Sequence, residues 1–384
     1  MKFLSYTKPA MKNTRQTNIN IHRDAWVEIN ISNLENNIRE IKKNVPQGIK
    51  LLGVVKADAY GHGAVMLAPT MLAEGIDMLG VASIDEGADL RQANINCEVL
   101  VLGAVPVWAV ESAVKNDLSI SIFSEGHIKA CEQAYKRTGI KPKVHIKLDT
   151  GMNRIGVRAD EAVDFIKRVQ KLDYINLQGI FTHLAAAEEL DKAKEQILKW
   201  NSVIDNVDTT GLLLHILNTA GTICYDVPNS NMRRVGIALY GLYPDFPDIE
   251  FRKPKLKQLI SLKGRIVNIH TAKEGEGVSY CHTFVAKGER IIATVPIGYA
   301  DGVPRLLSNK IKGVVNGVEV SQVGNITMDQ MMFDITGVKA NIGDVITLLD
   351  EEHSIDEWAN ILHTINYELT CRLKVRLPRV YTRG

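Results

Sequence analysis

The chain lacks a basic tract and has almost no net charge: 46 lysines and arginines face 44 acidic residues, for a formal charge of +2. Nucleic-acid binding needs a clustered positive face, and none is present. No apolar run is long enough to cross a bilayer, so a membrane anchor is not expected. Met1 to Arg15 are mostly polar and basic, with apolar residues only in short groups such as Phe3-Leu4, which is not the apolar core of a signal peptide. The five cysteines (Cys97, Cys131, Cys224, Cys281 and Cys371) are scattered, odd in number and form no CxxC pair. Neither a disulfide framework nor a zinc site is expected, and the thiols read as those of a reduced, cytoplasmic protein.

With 384 residues the chain is too long for one ordinary core, so two domains are expected. From residue 50 to about 241, short apolar runs alternate with charged segments of helical spacing. The runs are Leu51–Val55, Met78–Ala82, Val99–Leu102, Ile120–Phe123, Val144–Leu148, Leu177–Phe181, Leu212–Ile216 and Val235–Leu239. Eight βα units imply a parallel sheet buried on both faces. The expectation is an α/β fold with an N-terminal (β/α)8 TIM-like barrel, a doubly wound open sheet being the alternative. In a barrel the chemical residues cluster just past the strands' carboxyl ends, where Lys56, Asp149, Arg154, His183 and Asn218 stand. After about residue 250, strand-like runs with Gly-rich turns such as Asn316-Gly317 indicate a mostly β C-terminal domain. There only Ile355–Ile365 reads as helical. The organisation expected is a flexible extension over 1–24, a barrel over 25–250 and the β domain over 251–384. The strand at 25–32 is surplus to eight units and free to pair with the β domain.

Two segments carry chemistry. In Val54-Val55-Lys56-Ala57-Asp58-Ala59-Tyr60-Gly61-His62-Gly63, an apolar run ends in one lysine, then small residues, a tyrosine and glycines. A lysine held in an apolar pocket loses hydration, its pKa falls, and it can form a Schiff base. The plain alternative is a snorkelling lysine at a Gly-rich turn. The second segment runs from His145 to Gly156 and places Lys147 within a buried-strand pattern and Arg154 past a Gly turn. Its plain alternative is a strand-end lysine paired with Asp149.

Together these segments resemble the alanine racemase family. The resemblance continues through Thr182-His183, His215 to Ala220, Arg233 to Gly241, Val278-Ser279-Tyr280, Gly298 to Gly302, Met328-Asp329-Gln330 and Thr364 to Glu368. Nine matches in order make coincidence a poor explanation. The family uses pyridoxal phosphate (PLP), which the resemblance places on Lys56. Tyr60, Asn218, Thr219, Gly236, Ile237 and Tyr367 then match the phosphate end. Arg234 matches the arginine facing the pyridine nitrogen, with His215 orienting it and His183 in the same network. Lys147 matches a lysine carbamylated in many members; its carbamate would hold Arg154, which matches a substrate-binding residue aimed at the Tyr280 phenol or the substrate carboxylate. Lys56 and Tyr280 match the two catalytic bases. Tyr280 and the substrate-binding Met328 come from the partner subunit, so the resemblance implies a homodimer with shared sites. Tyr299 and Arg305 match the substrate entrance, and Asp329 is a supporting residue. No metal is implied.

The activity implied is interconversion of L- and D-alanine through a PLP external aldimine by two bases, supplying D-alanine for peptidoglycan. The chain departs from the family pattern in places. Asp58 stands where asparagine is expected, and Cys281-His282 where a glycine follows the tyrosine. Asn325 and Thr327 replace arginine and cysteine near the entrance, and Glu188 replaces an aspartate. The alternatives are a racemase preferring serine or another small amino acid, a non-catalytic PLP-binding barrel, and a fold-related basic amino-acid decarboxylase.

Overall fold

The computed structural model describes residues 23–245 and 254–384. The expectation of a flexible extension over 1–24 lies almost wholly outside them. In the first part the described strands are β1 (Ala25–Asn30), β2 (Lys50–Val54), β3 (Met78–Val81), β4 (Glu98–Val101), β5 (Ser119–Ile122), β6 (Lys143–Asp149), β7 (Val157–Arg158), β8 (Asn176–Phe181), β9 (Leu213–His215) and β10 (Met232–Val235). All but β1 and β7 form one parallel sheet in the order β10-β2-β3-β4-β5-β6-β8-β9. Between β9 and β10 the Asn231 N–H reaches Leu214 O and the Arg234 N–H reaches Leu217 O, both at 3.0 Å. The result is a nearly closed eight-stranded barrel.

Helices cover its outside by their apolar faces. In Ala159–Val169 the buried residues are Ala162, Phe165, Ile166 and Val169, spaced three and four apart. Asp160 and Glu161 lie in its first turn and Lys167 and Arg168 in its last, matching the helix dipole. One strand departs from expectation. The apolar run Val235–Leu239 is not the eighth strand; that strand is Met232–Val235, and Ile237–Tyr240 form a buried 3-10 turn. Arg233 and Arg234 break the apolar pattern of the true strand although both are buried.

The second part holds β11 (Ile260–Arg265), β12 (Asn268–Ala272), β13 (Gly277–Val278), β14 (Phe284–Val285), β15 (Arg290–Val295), β16 (Lys312–Val315), β17 (Val318–Val323), β18 (Met331–Asp334), β19 (Val345–Leu349) and β20 (Arg379–Thr382). Most join a sheet in the order β12-β15-β18-β17-β16-β19-β11-β1-β20. β1 therefore belongs to this sheet, antiparallel to β11 and parallel to β20. Its Ala25, Val27 and Ile29 are fully buried. Asn316 and Gly317 join β16 to β17 with φ of 51° and 78°, the left-handed pair of a tight hairpin. A second helix, Asn366–Arg372, follows Ile355–Leu362, against the expectation of one helical stretch. The apolar core is continuous from barrel to sheet: Leu52, Tyr240, Ile260 and Leu349 share one cluster.

Candidate active site

Past the end of β2 the backbone makes a left-handed turn. Ala57, Asp58, Ala59 and Tyr60 have φ of 51°, 53°, 54° and 55°. Each such position costs an L-residue roughly 1–2 kcal/mol, so the turn needs support from outside. Glu86 accepts from the Ala57 N–H at 2.8 Å, and Asp58 accepts from the Ala64 N–H at 2.7 Å. The buried His62 ring places Nδ1 3.0 Å from both Ala59 O and Tyr60 O. From β20, Arg379 donates to Gly61 O at 3.2 Å and Tyr381 to His62 O at 3.1 Å. A side chain on Gly63 would collide with the Tyr381 hydroxyl. The turn presents Lys56 to a cavity of about 370 Å³ at the carboxyl ends of the barrel strands. Partial burial, then the Arg154 guanidinium, hold the Lys56 amine below the ordinary lysine range.

Arg234 forms the deep wall of the cavity. Nη1 donates to His215 Nδ1 at 2.9 Å and to His215 O at 2.8 Å. Nη2 reaches Thr182 O at 2.7 Å, Ile216 O at 3.1 Å and His183 Nδ1 at 3.2 Å. No carboxylate pairs with it among the described residues, and burial pushes its pKa down to about 9. Its Nε–H makes no hydrogen bond among them. Because Arg234 only donates, His215 Nδ1 and His183 Nδ1 must accept, which keeps both rings neutral. His215 Nε2 lies 2.9 Å from His145 Nδ1 and so donates to it. His145 thus extends the chain of donors, a role absent from the sequence reading. The signal for it is its spacing: two residues before Lys147, it shares that residue's face of β6.

Lys147 is 3% exposed. Its amine sits 4.8 Å over the Phe181 ring and has no anionic partner among the described residues. Burial first, then Arg234 and Arg154, hold it well below the usual lysine range. Asp149 is not its partner, contrary to the plain alternative; that carboxylate instead accepts from the N–H groups of Gly151 and Asn153 at 2.9 and 3.1 Å. Arg154 lines the same cavity.

At the opposite end Asn218 caps the short helix Thr219–Cys224 through the Gly221 N–H. Thr219 and Ile237 each open a short helix, so their N–H groups have no intrahelical partner. The Thr219 hydroxyl accepts from the Gly236 N–H at 3.0 Å. Gly236 has no room for a side chain, since a Cβ there would lie 2.5 Å from the Tyr60 hydroxyl. Tyr60 and Tyr367 also line this end, and burial raises both phenol pKa values, keeping them as donors.

The structure thus brings Lys56, Tyr60, Lys147, Arg154, His183, Asn218, Thr219, Arg234, Gly236, Ile237 and Tyr367 to one cavity. It does not bring Tyr280, Tyr299, Arg305, Met328 or Asp329 there. Those lie in the second part, with Tyr280 70% and Met328 53% exposed. Asp329 pairs with Arg376 at 2.6 Å.

A family model described as alanine racemase, N-terminal domain, matches residues 29–244, and one described as alanine racemase, C-terminal domain, matches 259–381. The chain belongs to the alanine racemase family. Among curated alanine racemases, one from Nostoc sp. is 39% identical over 375 residues, covering 93% of this chain and 95% of the relative. One from Methanococcus maripaludis is 37% identical, covering 93% and 98%. The solved alanine racemase of Clostridium difficile 630 superposes with a TM-score of 0.89 at 38% identity, covering 94% of this chain and 96% of that one. That of Bacillus anthracis with bound L-Ala-P gives 0.86 at 35% identity, covering 94% and 96%. Members of the alanine racemase family are isomerases, and this chain carries both domains of the family along almost its whole length.

Proposed function

We propose that this chain interconverts L- and D-alanine with PLP as cofactor and two bases on opposite faces of the substrate, supplying D-alanine for peptidoglycan. The observation that carries the reading is the single cavity lined by Lys56, Arg234 and the Thr219–Ile237 end. Its donor set fits the cofactor at three points. The Lys56 amine, eased toward its neutral form, suits an aldehyde. The free Arg234 Nε–H suits an unprotonated ring nitrogen, because an arginine donates but does not release its proton. The N–H groups of Thr219 and Ile237, with the Tyr60 and Tyr367 phenols, suit a phosphate. When bound, PLP draws electrons from the substrate's α-carbon and acidifies its proton.

The chain's own groups do the rest. Inversion requires removal of the α-proton on one face and return on the other. Lys56 Nζ moves the proton on the D face, and Tyr280 Oη moves it on the L face. Tyr280 and Met328 are exposed and lie outside their own chain's cavity, which supports a head-to-tail homodimer in which each covers its neighbour's cavity. A phenol is a weak base near neutral pH, and Arg154 supplies positive charge at that point. Uncharged Lys147 is the form that takes up carbon dioxide: the amine nitrogen bonds to carbon, one proton leaves to solvent, and a carbamate anion remains. That anion would neutralise the cluster of Arg154 and Arg234 and hold Arg154 in place. Five free cysteines support a reducing, cytoplasmic setting.

The test is an assay of the purified protein against L-alanine, L-serine and L-lysine, with its absorption spectrum. A yellow protein most active on alanine is expected, and Lys56→Ala is expected to lose both directions. A colourless, fully active preparation overturns the cofactor. A serine preference is the second reading. It is favoured by one observation: Asn325, standing where the entrance arginine is expected, turns inward to the Tyr280 carbonyl at 2.7 Å.

A further inference from the structure

The backbone around Tyr280 is strained on both sides. Ser279, Cys281 and His282 have φ of 65°, 61° and 45°, and none is glycine. Tyr280 begins a three-residue turn between the two-residue strands β13 and β14. So short a hairpin does not fix three left-handed residues by itself. The Tyr280 phenol makes no hydrogen bond among the described residues, so within this chain the backbone, which sets the Cα–Cβ direction, is what limits where it can reach.

That backbone is held from beneath by one side chain. Asn325, 7% exposed, donates from Nδ2 to Tyr280 O at 2.7 Å. Ser279 Oγ returns a bond to Asn325 O at 2.6 Å. The preceding Gly324 approaches so closely that a Cβ on it would lie 2.6 Å from Val278 O. Its N–H donates to Asn309 Oδ1 at 2.6 Å, and Asn309 Nδ2 reaches Thr283 Oγ1 at 3.1 Å. The carbonyl that Asn325 grips belongs to the Tyr280–Cys281 peptide. The side chain therefore restrains the same peptide whose next residue is forced to positive φ.

We propose that Asn325 is a positioning residue for Tyr280, coupled to Cys281: its amide holds the peptide that a non-glycine residue at 281 strains, and so aims the phenol. The inference rests on the reading of Tyr280 as the L-face base. It predicts an effect on one face only, since Lys56 is fixed by the barrel and touches none of these residues. A misaimed base loses rate steeply with small displacements. Replacing Cys281 by glycine removes the cost of positive φ and should make the Asn325 bond less necessary.

The experiment measures solvent deuterium incorporation into L-alanine and D-alanine separately, with holoenzyme shown to be dimeric. The variants are Asn325→Asp, which keeps the volume but cannot donate, Asn325→Ala, Cys281→Gly and the Asn325→Asp/Cys281→Gly pair, with Tyr280→Phe in parallel. Exchange from L-alanine is expected to fall at least about tenfold in both Asn325 variants, and from D-alanine by less than about threefold. The pair should recover most of the loss. In the apoprotein, amide exchange of residues 277–285 should quicken in the Asn325 variants and slow again in the pair. Equal loss on both faces, unchanged amide exchange, no recovery in the pair, or failure of both Asn325 variants to fold each overturns the proposal. If Tyr280→Phe itself shows no face preference, the base assignment has failed instead.

Discussion

At the barrel mouth Arg234 is 3% exposed and its guanidinium makes five hydrogen bonds. In the sheet part, Tyr280 is 70% exposed and stands on a turn with left-handed residues on either side. The first group is fixed by its own chain before any ligand arrives. The second is aimed but uncovered, and the proposed partner cavity is what would enclose it. The barrel can therefore be preorganised as a monomer, whereas in the proposed homodimer the Tyr280 turn would gain its function only on association.

The sharpest way to break this comparison is to separate its halves. Tyr280→Phe is expected to lower proton abstraction from L-alanine by about 10²–10⁴-fold while leaving exchange from D-alanine in place. Mixing it with Lys56→Ala chains should restore activity, because a heterodimer has one site carrying both lesions and one carrying neither. Confirmed subunit exchange with no returning activity would place Tyr280 in its own chain's site and dissolve the contrast.

A smaller effect is expected within the barrel. Lys147→Ala removes the proposed anion between Arg154 and Arg234 and should cost up to about 100-fold in kcat/KM. Added acetate or another short carboxylate should return part of it. Electron density showing a bare ammonium at Lys147, in crystals grown with bicarbonate, counts against the carbamate.

The smallest effect per residue concerns acid. Burial pushes His62 down to about 4, and His145 down to about 3 chiefly for the same reason. A histidine depressed in the folded state leaves the unfolded chain binding more protons. Stability is thus full above pH 6.5 and falls as pH drops toward the folded value. At pH 5.5, one unit below the unfolded pKa, each should cost on the order of 1.4 kcal/mol. Both lie in the barrel part, as do His127, His183 and His215, whose pKa values burial also lowers. In the sheet part His353 shifts the other way, raised by Asp350 and Glu319 against its own partial burial. Urea unfolding at pH 7.5 and 5.5 reads the total, and unchanged midpoints would contradict it.

Much of this was legible in the sequence for one reason: barrel strands are buried on both faces and read as apolar runs. The eighth strand escaped that rule because Arg233 and Arg234 occupy its centre, and the apolar run beside it is a buried 3-10 turn. Asn366–Arg372 is seven residues long and has no side-chain cap, too little for helical spacing to register. His145 carried no signal beyond sharing a strand face with Lys147. The left-handed turn after Lys56 was visible only as glycines, yet its four left-handed residues are Ala57, Asp58, Ala59 and Tyr60. What makes that conformation tolerable comes partly from Glu86, Asp58 and His62 nearby and partly from β20, far along the chain.

That distance has a consequence for how the molecule is made. The bonds from Arg379 to Gly61 and from Tyr381 to His62 span 318 and 319 residues. A ribosome adds residue 379 only after the whole barrel and most of the sheet have emerged. The loop carrying Lys56 therefore waits for its β20 bonds through nearly all of synthesis. A half-made chain therefore lacks the finished pocket. The turn that presents Lys56 gains its last bonds as one of the final acts of folding, when nearly all of the chain has been made.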